Sequence, residues 1–253
     1  MRVAVVTPYY KEPRAWIERC IASVKAQTWA ACDHLLVADG HPQDWIDGAG
    51  VRHLKLDKSH GDYGNTPRSI GGQLAIAEHY DAIAFLDADN WFEPDHLAQC
   101  LETAARTGAD VVTADRRFMR EDGSVLPYRF GEDVSGAHVD SNCYLLMFGA
   151  FHTIPRWLMM PRPMAIWGDR FYLSSLREEG LTLARSNAAT VNYLCTWADV
   201  YRVCGEPAPA FAKQGLPTQR LFDWVQRLEP ADLAHVQRLS GCNLPQYFAT
   251  HRV

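Results

Sequence analysis

Short apolar runs alternate with amphipathic segments through the first 115 residues. The β-branched run at residues 3–6 stops at Thr7 and Pro8, which predicts a buried strand that ends at a loop. Behind Pro13, apolar side chains recur at helical spacing within residues 17–24. The same alternation predicts further strands at 35–37, 51–56, 83–86 and 111–113, and helices from Thr66 and over residues 94–107. Strands separated by helices of this length predict an α/β fold, a mostly parallel sheet flanked by helices.

The pattern loses this regularity after residue 115. Residues 116–142 are rich in charge and turn pairs, which predicts a long loop or a hairpin. The segments expected next are an apolar stretch at 143–151, a helix near Gly168, a strand at 189–194 and C-terminal helices within 218–239. One face of these last helices is apolar, so we expect it to pack on the core or on a second subunit in a homo-oligomer; it carries Leu221, Trp224, Val225 and Leu228.

Composition narrows the class of protein. The chain has 253 residues, of which 47% are hydrophobic, and a formal net charge of −5, which is unlike the basic face of a nucleic-acid binder. No apolar run reaches the length of a transmembrane helix, and the N-terminal run is too short for a signal peptide. The seven cysteines are scattered and form no CxxC pair, which favours reduced thiols in a cytoplasmic protein over a zinc site.

Polar residues follow three of the predicted strands: Thr7-Pro8-Tyr9, Asp39-Gly40 and Asp87-Ala88-Asp89. In open parallel sheets, ligands bind beyond the carboxyl ends of the strands, so we expect these groups to meet in one site. Carboxylates such as Asp87 and Asp89 suit Mg²⁺ or Mn²⁺, although each acid taken alone is equally consistent with a turn or a helix cap. The chain has neither a P-loop nor a GxGxxG motif, so phosphate charge would be met by a metal and a few cations such as Arg68.

The order of these motifs resembles the GT-A-fold family 2 glycosyltransferases. The resemblance is clearest over residues 3–115 and looser to residue 200. It is carried by residues 3–10, Gln27-Thr28-Trp29, residues 36–40, Arg68 and residues 85–89. It implies a GT-A fold with a nucleotide-sugar-binding half at 1–115 and an acceptor-binding half at 116–253 within a single domain.

The resemblance also implies roles for individual residues. Thr7, Pro8, Tyr9 and Asp39 would hold the nucleoside, with Asp39 meeting the base. Arg68 would lie near the diphosphate, and Ala88 would line the donor site between its two acidic neighbours. Asp87 would contact the ribose or the waters of the metal, and Asp89 would ligate Mn²⁺ or Mg²⁺ directly. Asp169 would be the catalytic base. Trp167, two residues before it, would suit stacking on a sugar, although a tryptophan is as often part of the core.

Asp169 has a second interpretation, because an acid at the start of a helix also caps free N–H groups and stabilises the helix dipole. Three positions depart from the commonest pattern of the family and leave the donor open: Ala38 and Asn90 where acids are frequent, and Thr66-Pro67-Arg68-Ser69 where Ala-Arg-Asn is frequent. Val191-Asn192-Tyr193 lacks the histidine that some relatives use as a further metal ligand. The single histidines His60, His138 and His152 have no partners at ligand spacing, so ordinary surface or core roles are expected.

The residues and the resemblance together predict a metal-dependent glycosyltransferase, and the resemblance implies that it inverts the anomeric configuration. Its expected donor is a UDP-sugar, and its acceptor is a hydroxyl of a carbohydrate, a lipid-linked molecule or a protein. One alternative is a phosphatase of the haloacid-dehalogenase type, in which Asp87 is the nucleophile and Asp89 its partner. Another is a nucleotide-sugar-binding module without activity.

Overall fold

Eight strands form one sheet in the computed structural model, which describes residues 1–250. Along the sheet the strands lie in the order β3-β2-β1-β4-β7-β6-β8-β5. Their bounds are β1 (Val3–Tyr9), β2 (Cys32–Asp39), β3 (Arg52–Leu56), β4 (Ala82–Phe85), β5 (Trp91–Phe92), β6 (Val111–Met119), β7 (Tyr144–Met147) and β8 (Leu183–Leu194).

The pairing of the strands is parallel in the first half and mixed in the second. β1 pairs in parallel with β2 and β4, and β2 with β3, as the alternation of strands and helices predicted. β7 is inserted between β4 and β6 and runs antiparallel to both. The sequence did not predict β7 as a strand, because its buried residues are apolar throughout and show no alternation.

Ten α-helices accompany the sheet in the described part of the chain. They are α1 (Arg14–Lys25), α2 (Asn65–Ala77), α3 (His96–Thr107), α4 (Gly131–Ser135), α5 (Pro155–Met159), α6 (Gly168–Glu178), α7 (Ala198–Val203), α8 (Gln219–Val225), α9 (Pro230–Ser240) and α10 (Leu244–Thr250). The predicted C-terminal helical region is divided by Pro230, which occupies the first turn of α9 because a proline lacks the N–H that a helix interior requires.

Alternation along β1 builds the two layers of the core. Val3 and Val5 point to the face covered by α1 and α3, whereas Ala4 and Val6 point to the face covered by α2, α5 and α6. All four side chains are fully buried. The sheet is therefore fixed from both sides, and the loops at the carboxyl ends of its strands start from rigid positions.

The second half of the chain completes the same sheet and adds a helical cluster. Residues 116–142 are only partly the predicted loop, because β6 continues to Met119 and α4 lies within them. The apolar face of α8 packs, as predicted, on the core around Phe171 of α6, with Leu221 fully buried.

All seven cysteines are free thiols, which agrees with the expectation from their spacing. Over residues 1–250, none of the helices combines the length and the apolar character needed to span a bilayer.

Candidate functional site

The loops that follow β1, β2 and β4 enclose a cleft of about 450 Å³, here called the first cleft. Its walls include five of the residues that the sequence singled out: Pro8, Tyr9, Asp39, Asp87 and Asp89. These strands are neighbours in the sheet and run in parallel, so their carboxyl ends meet at one edge.

Asp39 lies at the end of β2 and is held by the loop of residues 59–60. Its carboxylate accepts hydrogen bonds from the His60 backbone N–H (3.0 Å), His60 Nδ1 (2.6 Å) and Ser59 Oγ (3.3 Å). Gly40 permits this approach, since it has φ +75° and a Cβ there would lie 2.2 Å from the Ser59 nitrogen. The buried carboxylate is thereby fixed in the wall of the cleft.

Asp87 is held by three side chains from two other segments. Arg68 Nη2 donates to its Oδ1 at 2.6 Å, while Asn142 Nδ2 (3.0 Å) and Ser141 Oγ (3.2 Å) donate to its Oδ2. Arg68 is 2% exposed, and its guanidinium lies 4.9 Å from the centre of the Trp157 ring. The ion pair therefore joins α2 to the turn after β4, and its cation is buried rather than facing the cleft.

Asp89 differs from these two acids, because its carboxylate accepts no hydrogen bond and forms no ion pair with any described residue. Burial, and then the charge of nearby Asp87, raises the pKa of Asp89 to about 8. Besides Asp89, the first cleft is lined by the acids Glu12, Asp39, Asp62 and Asp87, and among residues 1–250 its single lining lysine or arginine is Lys213. An anionic ligand would therefore meet an excess of negative charge unless a cation entered with it.

The side chains of Asp87 and Asp89 suit a divalent cation in chemistry and in position. Hard carboxylate oxygens are the ligands that Mg²⁺ and Mn²⁺ prefer, and these ions take the rest of their ligands from water and substrate phosphates. Within the described residues, no group of three or more His, Cys, Asp and Glu side chains is arranged to hold a metal ion. Asp89, which lacks a donor, is the residue that such an ion would satisfy.

Four of the predicted donor-site residues do not line the first cleft: Arg68, whose guanidinium is buried beside Trp157, and Thr7, Ala88 and Trp167. Thr7 is fully buried, and its hydroxyl contacts His34 Nε2 at 2.8 Å in the core. Ala88 is also buried, packed beside α1. Trp167 packs edge-on against Phe222 among the C-terminal helices and lies outside the lining of the first cleft.

A second cavity of about 610 Å³ adjoins the first cleft, and the two share the lining residues Tyr63, Tyr193, Trp197 and Lys213. Aromatic side chains form much of its wall, and Trp167 and Asp169 also line it; the aromatic residues include Phe118, Tyr128, Phe130 and Trp197. Such a surface is suited to packing against the apolar face of a sugar ring.

Asp169 lies in the first turn of α6 with both oxygens engaged. Oδ1 accepts the Arg170 backbone N–H at 2.8 Å, so part of its predicted capping role is present, and Oδ2 contacts His138 Nε2 at 2.7 Å. Burial alone would raise the pKa of Asp169, but the charge and the hydrogen bond of His138 bring it down to about 2. Asp169 is therefore ionised, as a base must be before it takes a proton.

Sequence reasoning missed several residues that hold the predicted acids. His60 contacts Asp39, Asn142 contacts Asp87, and His138 contacts Asp169. The contact of His138 with Asp169 crosses 31 positions, and that of Asn142 with Asp87 crosses 55. No periodicity in the sequence links positions so far apart. The sequence therefore identified only the acid of each pair, from its place after a strand or at the start of a helix.

Comparison with known proteins gives matches of two kinds. The family model described as glycosyl transferase family 2 matches residues 4–132. The succinoglycan biosynthesis protein ExoW of Rhizobium meliloti is 31% identical over 137 residues, which are 51% of this chain and 41% of that protein. The match thus spans less than half the length of this relative.

Solved structures of TarS from S. aureus have the same fold. One covers 100% of this chain and 44% of TarS with a TM-score of 0.61 and 12% identity. Structures of TarS residues 1–349 with UDP and with UDP-GlcNAc give TM-scores of 0.59 and 0.60, both at 13% identity, and cover 98% and 100% of this chain and 72% and 74% of those chains. The arrangement is therefore the GT-A fold that the sequence predicted.

The ion pair of buried Arg68 with partly exposed Asp87 gives a prediction about stability. Arg68→Met keeps an apolar stem beside Trp157 but removes the charged hydrogen bond to Asp87, which should lower the free energy of unfolding by about 1–3 kcal/mol. Urea denaturation of both proteins measures this difference. In the matched control, Arg14→Met breaks an exposed pair with Glu18 and should change the value by less than about 1 kcal/mol. Equal small effects from both variants would contradict a structural role for the Arg68 pair.

Proposed function

Because this chain belongs to glycosyl transferase family 2, we propose that it transfers a sugar from a nucleotide-diphosphate donor to a hydroxyl group of an acceptor. The observation that carries the proposal is the junction of two cavities. The first cleft, with Asp39, Asp87 and Asp89, opens beside the cavity that contains Asp169. A donor in one and an acceptor in the other would meet where the two share Tyr193 and Trp197.

The proposed donor is a UDP-sugar. Asp39 is buried and fixed, and it would accept a hydrogen bond from the N–H of uracil, while Pro8 and Tyr9 would form the wall beside the nucleoside. The TarS structures with UDP and UDP-GlcNAc support a uridine nucleotide. Lys213, which lines both cavities, is positioned to meet charge on the diphosphate.

The proposed cofactor is Mn²⁺ or Mg²⁺, held by Asp89 with Asp87 beside it. When bound, the ion would offset the negative charge that grows on the departing diphosphate. Two features support this assignment: the Asp89 carboxylate has no hydrogen-bond donor among the described residues, and the charged residues that line the cleft are five acids and a single lysine, Lys213. Arg68 acts indirectly in this scheme, because it fixes Asp87 instead of contacting phosphate.

The proposed catalytic base is Asp169. It would take the proton from the acceptor hydroxyl as that oxygen bonds to the anomeric carbon and the bond from this carbon to the diphosphate breaks. A single displacement of this kind inverts the anomeric configuration. The aromatic wall of the second cavity favours a carbohydrate acceptor. In this proposal Trp167 contacts the acceptor instead of the donor, because it lines the second cavity.

The phosphatase alternative requires a free nucleophilic oxygen on Asp87. Arg68 engages one of its oxygens, and Asn142 and Ser141 engage the other, so the geometry disfavours attack by this residue. A nucleotide-sugar-binding module without activity would have the same cavities. A measurement of sugar transfer distinguishes such a module from an enzyme. The free thiols support a cytoplasmic location for the reaction.

The first prediction from this proposal concerns the metal. EDTA should abolish release of UDP from a UDP-sugar in the presence of acceptor, and Mn²⁺ or Mg²⁺ should restore it, because the leaving diphosphate is otherwise uncompensated in an acidic cleft. Asp89→Asn should lose metal-dependent donor binding in calorimetry while its melting temperature is maintained. Asp95→Asn, an exposed acid a few residues away, is the control and should behave like the wild type. Full turnover in EDTA would refute the metal assignment.

The second prediction concerns Asp169. Asp169→Asn should reduce sugar transfer by about 10²–10⁴-fold, since the amide cannot take the proton, while the dissociation constant for the donor stays nearly unchanged. Single-turnover kinetics and donor titration measure the two quantities separately. Asp199→Asn is the control, because Asp199 lines the same cavity but pairs with exposed Arg202. If Asp169→Asn transferred sugar at a near-normal rate, Asp169 would be only a helix cap.

A further inference from the structure

A buried histidine separates Asp169 from a second carboxylate. His138 is 5% exposed, its Nε2 lies 2.7 Å from Asp169 Oδ2, and its Nδ1 lies 2.5 Å from Asp133 Oδ1. The two acids belong to different helices, α6 and α4, so the imidazole ring connects the segment 131–138 to the first turn of α6.

The geometry determines the protonation state of the ring. A neutral imidazole carries one N–H and one lone pair, so one of its nitrogens would direct a lone pair at a carboxylate oxygen. The imidazolium form donates from both nitrogens, and it is the form that suits two ionised partners. Burial lowers the pKa of His138, but the charge of Asp169 and the hydrogen bonds to both acids raise it overall, to about 9.

The charged groups that act on His138 come from three elements. Asp169 belongs to α6 and Asp133 to α4, while Arg116 of β6 opposes the positive charge and lies between Asp133 and Asp140. Arg116 Nε donates to Asp133 at 2.7 Å, and Arg116 also contacts Asp140. The two cations therefore alternate with three carboxylates, and neither cation is without an anionic neighbour.

The segment that carries His138 is fixed mainly by polar contacts to the rest of the domain. Arg177 Nη2 donates to the Gly136 carbonyl at 2.6 Å, and Arg185 donates to the Val134 carbonyl at 3.2 Å. Arg170, the residue after the base, contacts Glu132 through its guanidinium. The histidine is therefore held from both sides of its segment and is not free to rotate away from Asp169.

We propose that His138 is a positioning residue for Asp169: its Nε2–H fixes Oδ2, and its positive charge keeps the carboxylate ionised in mildly acidic solution. This inference rests on the proposed function, in which Asp169 takes the acceptor proton. In that step the acceptor O–H bond breaks and its proton moves to Asp169, while both protons of His138 stay on the ring. The histidine thus contributes its charge and hydrogen bond without exchanging a proton.

The test uses His138→Gln, whose amide still donates a hydrogen bond but has no charge. The effect of burial on Asp169 is then opposed by the charges of Arg170 and Arg116 without that of His138, so the pH at which Asp169 takes a proton should rise by about 1–3 units. We expect the ratio of variant to wild-type kcat/KM, measured with a UDP-sugar and Mn²⁺, to fall steadily as the solution is made more acidic. A merely structural role would lower this ratio by the same factor at every pH.

Control variants distinguish the inference about His138 from the proposal that Asp169 is the catalytic base. His152→Gln breaks a surface histidine–carboxylate pair with Glu179 and should give a ratio that does not depend on pH. A flat ratio for His138→Gln, with Asp169→Asn inactive, would overturn the role of His138 alone. An active Asp169→Asn would overturn the base assignment itself.

A measurement on the wild-type protein tests the protonation state of His138 without relying on the folding of a variant. In ¹⁵N spectra of labelled histidine near neutral pH, both ring nitrogens of His138 should have the shifts of protonated nitrogen. A neutral ring would contradict the inference even if the Gln variant were unstable.

Discussion

The ion pair between Arg68 and Asp87 fixes the turn that carries both Asp87 and Asp89 into the wall of the first cleft. It joins the first turn of α2 to the turn after β4, and Asn142 adds the segment before β7 through a second contact with the same carboxylate. A buried guanidinium without its partner is strongly destabilising, so this arrangement has few alternatives. Asp89 follows two residues later, and its place in the cleft depends on the position of Asp87.

The same site leaves one carboxylate without a protein donor. Asp39, Asp87 and Asp169 each have a donor from a residue distant in sequence, and these contacts fix the direction of their side chains. The Asp89 carboxylate has no such donor among residues 1–250, and burial raises its pKa, which favours the neutral form. The fold thus supplies hydrogen-bond donors to three of these acids and leaves Asp89 facing a cleft without one. Such an arrangement suits a site in which a bound cation and a substrate contact the fourth acid.

The sequence predicted the edge of the sheet well, because local patterns suffice there. An apolar run followed by Asp39 or Asp87 identifies a strand end, and parallel pairing then brings such ends together. The sequence predicted the partners of those acids poorly, because His60, Asn142 and His138 lie in short segments whose residues show no periodicity. Trp167 was assigned to the donor site with core packing as its alternative, and its ring packs against Phe222 among the C-terminal helices.

The most direct test of the account is a crystal structure of the protein with UDP and Mn²⁺. We expect uracil beside Asp39, the diphosphate at the end of the first cleft that holds Asp89, and anomalous scattering from manganese within coordination distance of the Asp89 carboxylate, about 2.0–2.2 Å for a hard oxygen ligand. The junction with the second cavity should remain open beyond the diphosphate. Nucleotide bound elsewhere, or bound in this cleft with Asp89 still without a metal, would contradict the central claim.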